Sequence, residues 1–329
     1  MSNFEIIDFH LHLCRDPAQE KLVFPHPGWP DEWYWCNPER IGPYIEARSI
    51  SNVVTLNIMD TQRMTEARLA RLPHSTSEAG VAQHRAALGD EMRDRVRKFN
   101  TWACETRRDN PRIVSFVMID PVLFGRESIL ELERCMALGA CGVKVHPDIC
   151  RHFPDHPDLI PVFDRLQQAN LPMLTDTVGR PHADGNTYGR STNWAPVLTA
   201  FPRLTLIMAH FCDEMWDDRL EMARQFRDNL WFDMSGGLID PRHPQSLHRD
   251  MPASQAVRVF RKLGVERMLF GSDSPGTGGL DPQDAASQLL ALPFTAEEKR
   301  LMLSENARRL LSSCGVMLSL GPTVKLTDG

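Results

Sequence analysis

Several things are missing from this chain, and each absence excludes something. No window of its 329 residues approaches the roughly 18 continuous apolar residues of a membrane-spanning helix. No run of Lys or Arg exceeds two, as at Arg107-Arg108, and the net charge is −6. A nucleic-acid partner would call for a basic stripe, so none is expected. The opening stretch MSNFEIIDFH has no basic segment, and its apolar run is too short and interrupted for a secretory signal. Eight cysteines, at 14, 36, 104, 135, 141, 150, 212 and 314, form no C-x-x-C pair. Without a signal they read as reduced, mostly buried thiols, and the expected location is cytoplasmic. No internal repeat or low-complexity linker divides the chain, so residues 1–329 read as a single domain. The 42% hydrophobic and 24% charged content is that of a globular protein.

What is present is a rhythm. Eight short apolar runs recur at 4–10, 52–58, 113–119, 142–146, 172–177, 204–210, 230–235 and 267–271. VVTLNI, IVSFVMI and LTLIMA are apolar without alternation, as parallel strands covered on both faces are. Amphipathic stretches lie between them at 127–138, 159–170, 194–201, 213–227, 252–263 and 282–292. Strands alternating with helices imply right-handed βαβ units, and eight of them point to an α/β fold of the (β/α)8 TIM-barrel type.

Two insertions break the rhythm. Residues 14–40, after the first run, hold five prolines with Trp29, Trp33, Tyr34 and Trp35. Residues 60–109, after the second, are rich in Arg, Glu and Ala, with two helices expected at 78–88 and 91–108. Loops that follow barrel strands sit at the catalytic mouth, so both should wall the site. The aromatic run can serve as a small core under a long loop, as a substrate contact through Trp35, or as both. The last helices are expected at 295–304 and 306–313, with an irregular tail after them.

The residues that end the runs carry the chemistry. The first ends in His10-Leu11-His12, where i and i+2 share a strand face. Others end in Lys144 and His146, in Asp176, in His210, in Asp233 and Ser235, and in Asp273. C-terminal strand ends converge at one mouth in a barrel. Histidines and carboxylates gathered there suit zinc, manganese or iron.

With these motifs in order (IIDFHLHL, GVKVHPDICRHF, PRLTLIMAHF, NLWFDMSG and RMLFGSDSP), the chain resembles the amidohydrolase superfamily, in its amidohydrolase-related branch of hydrolases, lactonases and nonoxidative decarboxylases. The resemblance implies that His10 and His12 bind a metal. It implies that Asp273 touches that metal and takes a proton from its water, and that His210 assists near it. One divalent ion is expected, zinc before manganese or iron. A homodimer is a family-level expectation.

Strand five departs from the branch. Its usual ligand histidine stands in a segment like LPVLIHTG, whereas this chain reads LPMLTDTVG, with Asp176 in the histidine's place. Asp176 is expected to ligate directly, against a role holding His210 or a water, or a weakened metal site. Lys144 is either a carboxylated bridging ligand or a buried lysine facing Asp176 or a substrate carboxylate. His146 shares its strand face and is a further metal or substrate candidate. Asp233 can orient His210 or cap a turn. Arg180 and Arg190, in the loop after strand five, and Arg15, just after the H-x-H, are candidates for a substrate carboxylate by the bidentate fork, and His182, in the loop of Arg180 and Arg190, is a candidate for substrate contact or for the missing strand-five ligand. His26, His74, His84, His152, His156, His243 and His248 read as surface groups. Cys14 and Cys212 read as packing. The expected activity is metal-dependent hydrolysis of an amide or a lactone/ester in a small carboxylated or aromatic compound. Nonoxidative decarboxylation and a non-catalytic binding barrel are the alternatives.

Overall fold

The computed structural model describes residues 2–24, 30, 34–210, 216–236, 253–276, 281–319 and 324–326. Trp29, Trp33, Cys212, His26, His243 and His248 lie outside the described residues. Ten strands are present among those described: β1 (Ser2–Phe4), β2 (Ile6–Leu11), β3 (Ile50–Leu56), β4 (Ile113–Met118), β5 (Gly142–Val145), β6 (Met173–Asp176), β7 (Leu206–Ala209), β8 (Leu230–Asp233), β9 (Met268–Leu269) and β10 (Val324–Leu326). β2 to β9 form one parallel sheet in sequence order, and these are the eight expected strands.

The barrel closes where the chain past β9 meets β2. Phe9 donates its N–H to Phe270 O at 2.7 Å, Asp273 to His10 O at 2.8 Å, and His12 to Ser274 O at 2.8 Å. Alternate strand residues divide between two apolar clusters. Val54, Val114, Phe116, Leu174 and Ile207 belong to one, and Val53, Ile113, Val117, Met173 and Met208 to the other. Both faces of the strands are therefore covered, as their unbroken apolar runs require.

Four expectations change. The first run is split: Glu5, held by the Arg308 guanidinium (Nε to Oε2, 2.6 Å), separates β1 from β2. β1 pairs antiparallel with β10, so part of the tail expected to be irregular is a strand. In the second insertion, the two expected helices are one, Glu78–Asp109. Gly89 in its interior costs about 1 kcal/mol against alanine. The buried Met92 and Val96 farther along each contribute more than that by leaving water. The last two helices also join, through a π turn at Leu301–Glu305. Such a turn leaves a carbonyl without its helical partner, and Met302 O accepts from Phe270 N–H at 3.0 Å.

The two ends of the first insertion are held together by Glu20, which is buried and accepts from Cys36 N at 3.1 Å and Asn37 Nδ2 at 3.0 Å. Trp35 is buried and stacks on Tyr44 with ring centres 3.4 Å apart, and the Arg48 guanidinium lies 3.6 Å from the Tyr44 ring centre. Trp35 thus packs a local core. The seven described cysteines are free thiols, six of them buried. Among the described residues no helix is long and apolar enough to cross a membrane.

His74 and His84 are exposed as expected, but His152 is 3% exposed, with Nδ1 2.9 Å from Phe153 O. Burial pushes its pKa down to about 4. An unfolded histidine titrates near 6.5, so between those values the unfolded chain binds a proton that the native state refuses. Stability on this account rises with pH from about 4 to about 6.5. In His152→Leu, urea unfolding should show that rise flattened relative to the parent by up to about 1.4 kcal/mol per pH unit. Parallel profiles would mean that the folded imidazole titrates normally.

Candidate metal centre

His10 lies in β2 and His12 one residue past its end, with ring centres 5.2 Å apart. Asp273 reaches them because its backbone takes φ +61°, a left-handed conformation rare outside glycine. Its Oδ1 is 3.3 Å from His10 Nε2 and 3.1 Å from His12 Nε2. These three residues form the one group among those described whose ligand atoms lie within 4.8 Å of one another.

The other ring nitrogens are already committed. His12 Nδ1 donates to Leu56 O at 3.1 Å, and a carbonyl can only accept. His10 Nδ1 is tightly bonded to Asp233, which is itself fully buried. In the neutral rings both protons therefore sit on Nδ1, and both Nε2 lone pairs face a carboxylate oxygen. His10 Nε2 is buried with no hydrogen-bond partner. Three Lewis-basic atoms converging with no donor among them fit a bound cation, and the donor set suits a divalent transition metal.

Electrostatics agree with this assignment. Burial alone would raise Asp273, but His10, His12 and His210 hold its carboxyl well below the usual range. Burial likewise opposes at Asp233, but His10, His210 and the Ser235 N–H together lower its carboxyl as well. Burial pushes His210 down to about 4, so its imidazole is neutral at pH 7.

A second cluster adjoins the first. Asp176 Oδ2 is 3.3 Å from His210 Nε2 and 3.5 Å from His146 Nε2. His146 Nδ1 accepts from Ile149 N at 3.3 Å, so its proton is on Nε2, facing Asp176. Burial, then the Lys144 charge, drives the His146 pKa well down. Ser235 joins the clusters: its Oγ is 3.1 Å from His10 Nδ1 and 3.2 Å from His210 Nδ1. Asp233 thus orients His10 and caps Ser235 N (2.9 Å), while Ser235 is what meets His210. Lys144 is 1% exposed, and its Nζ has no hydrogen-bond partner. Burial lowers its pKa against the pull of Asp176, Asp233 and Asp273.

The mouth candidates are less closely gathered. His182 Nε2 is 3.4 Å from Asp148 Oδ1, and Asp148 is raised by burial and by the neighbouring Asp176 charge. Arg190 spends its fork on Asp218 at 2.6 and 3.2 Å. Arg15 bonds Gln19 Oε1 and is exposed, as is Arg180. Sequence reasoning missed Phe24, whose ring stacks 5.8 Å from His12, and the carboxylate of Asp8. Asp8 stands two before His10 in the same D-x-H-x-H pattern, which was the available signal.

Residues 7–312 match the family model described as Amidohydrolase. No curated protein matches the chain. Solved structures do, and at these identities they show the fold alone. 2,6-Dihydroxybenzoate decarboxylase from Rhizobium is 16% identical with a TM-score of 0.65, covering 95% of this chain and 99% of that one. A dihydroxybenzoic acid decarboxylase from Polaromonas, with bound manganese and the inhibitor 2-nitroresorcinol, is 16% identical with a TM-score of 0.62, covering 95% and 97%. A probable 2-pyrone-4,6-dicarboxylic acid hydrolase from Acinetobacter baumannii is 16% identical with a TM-score of 0.59, covering 93% and 99%.

Metal analysis of purified protein tests the donor assignment. His12→Ala and Asp273→Ala should each strip most of the bound metal, because each removes one of three converging donors. Parental metal content in either variant would place the ion elsewhere.

Proposed function

From the chain's membership of the amidohydrolase family, matched over residues 7–312, we propose a metal-dependent hydrolase acting on an amide or lactone/ester of a small carboxylated or aromatic compound. The observation that carries this reading is the pairing of an ionised Asp273, beside two free Nε2 atoms, with a separate neutral imidazole, His210. A divalent ion on His10, His12 and Asp273 would supply Lewis acidity to a carbonyl oxygen and acidify water, zinc being our first assignment and manganese or iron the others. Asp273 is ionised at neutral pH and accepts the proton of the attacking water. His210 sits between Ser235 and Asp176 and so has routes for a proton on both sides. It assists transfer to the leaving group.

We assign Asp176 as the fourth metal ligand. Its alternative is the role its contacts already describe, holding His146 and His210. Lys144, whose buried Nζ has no hydrogen-bond partner, is the candidate for an anionic oxygen of the substrate. His182, Arg180, Arg15 and Arg190 are kept as mouth residues, with Arg190 the least available because Asp218 holds it.

A second reading is nonoxidative decarboxylation of an aromatic or muconate-type acid. It is supported by the two decarboxylases of the same fold, one with manganese bound. Zinc- or manganese-loaded protein should be incubated with aromatic lactones, esters and anilides and with hydroxybenzoic acids. The expected result is acid release without CO2. CO2 release without hydrolysis overturns the hydrolase in favour of the second reading. In the same preparation Asp176→Ala should lose most of its metal. Unchanged content would leave Asp176 as the residue that holds the two histidines.

A further inference from the structure

Asp8 is fully buried and makes no contact with the ring nitrogens that face the centre. Its carboxylate is spent on the other side of the barrel seam. Oδ1 accepts from Ser272 N at 3.0 Å and from His10 N at 3.1 Å, and Oδ2 accepts from Ser272 Oγ at 2.6 Å. Ser272 Oγ in turn accepts from Ser274 N at 3.1 Å. Both residues that flank Asp273 are therefore tied, directly or through one hydroxyl, to a single side chain on the strand that carries His10 and His12.

Between those two ties, Asp273 is held in the left-handed region at φ +61°. Its N–H is fixed by His10 O at 2.8 Å, and its carbonyl accepts from Gly276 N at 2.7 Å. The approach is close on both sides. A Cβ on Gly271 would lie 2.3 Å from Asp233 Oδ1 and 2.7 Å from His10 Cβ, and one on Gly276 would lie 2.7 Å from Asp273 O. A conformation this sparsely populated persists where its surroundings over-determine it. Here those surroundings include, besides the backbone bonds, one carboxylate and one hydroxyl.

We infer that Asp8 and Ser272 are positioning residues for the metal centre: they lock the Asp273 turn to β2 so that its carboxylate meets His10 and His12 together. The inference rests on the metal reading of those three residues. The bland rival is that Asp8 and Ser272 merely close the barrel, which would lower stability and leave the folded protein's metal affinity alone. Asp273 Oδ1 stands nearly equidistant from the two Nε2 atoms (3.1 and 3.3 Å), and a turn released from Ser272 would lose that placement. Groups that orient metal ligands typically matter ten- to hundredfold in affinity.

The test uses the full-length protein stripped with a chelator and titrated with Zn2+ against a chromophoric competitor, with melting followed in parallel. Ser272→Ala and Asp8→Ala should each weaken zinc binding ten- to hundredfold. The double variant should be no weaker than the worse single one, because both break the same tie. Ser272→Thr keeps the hydroxyl and should stay close to the parent. If the alanine variants fold, melt earlier and bind zinc as the parent does, the inference is overturned and the seam is structural only. Should Asp8→Ala fail to fold, the contrast between Ser272→Ala and Ser272→Thr decides alone. A parent that binds no zinc, or a His10→Ala variant that binds as well as the parent, overturns the metal reading itself and this inference with it.

Discussion

Asp273 donates its backbone N–H to His10 O, while its side chain faces the Nε2 atoms of His10 and His12. The last barrel strand is only two residues long, so closure depends on the chain that follows it. That chain also carries Asp273, the third member of the group that could hold a metal ion. Sealing the cylinder and assembling the centre are therefore one event, between side chains 261 positions apart in sequence. Side chains alternate faces along a strand, so a slip of one residue at this seam would turn the Asp273 carboxylate away from both imidazoles. Met302 O, freed by the π turn, and Asp8 hold the seam from either side. The elements around it make sense as supports for one register.

Around the seam the molecule buries several ionisable groups, which is expensive unless each finds a partner. Most do. Asp233 has His10, Asp8 has Ser272, and Asp176 has His146 and His210. Two groups do not: His10 Nε2 and Lys144 Nζ are buried without hydrogen bonds. Both lie among aspartates, His10 Nε2 at 3.3 Å from Asp273 and Lys144 under the charges of Asp176, Asp233 and Asp273, and orphaned polar atoms call for an explanation. An ion at the first and an anionic substrate oxygen at the second would supply what the chain leaves open.

How much of this the sequence disclosed depends on distance along the chain. Apolar runs such as IVSFVMI are local, and all eight strands were legible from them. H-x-H was legible as well, because two residues on a strand share a face whatever the strand pairs with. The joined helix 78–109 was not, since a glycine marks a boundary only when nothing beyond it packs, and Met92 and Val96 pack. β10 and the burial of His152 were hidden because each depends on what a distant segment covers. Ser272 and the partners of Ser235 escaped for the same reason. Their roles are hydrogen bonds across the seam or between neighbouring strand ends, and no spacing within one strand encodes them.

The position where the chain departs from its family's pattern gains a physical context from the strand beside it. Exchanging a neutral histidine for Asp176 adds a buried carboxylate that, with Asp233 and Asp273, acts on Lys144. A lone addition of that kind would be costly. Lys144 lies on the neighbouring strand β5, and Asp176 heads the charges that favour its protonated form. With Lys144 protonated, a divalent cation and this ammonium together carry as many positive charges as the three aspartates carry negative ones. The substitution at 176 and the lysine at 144 are then two halves of one electrostatic arrangement.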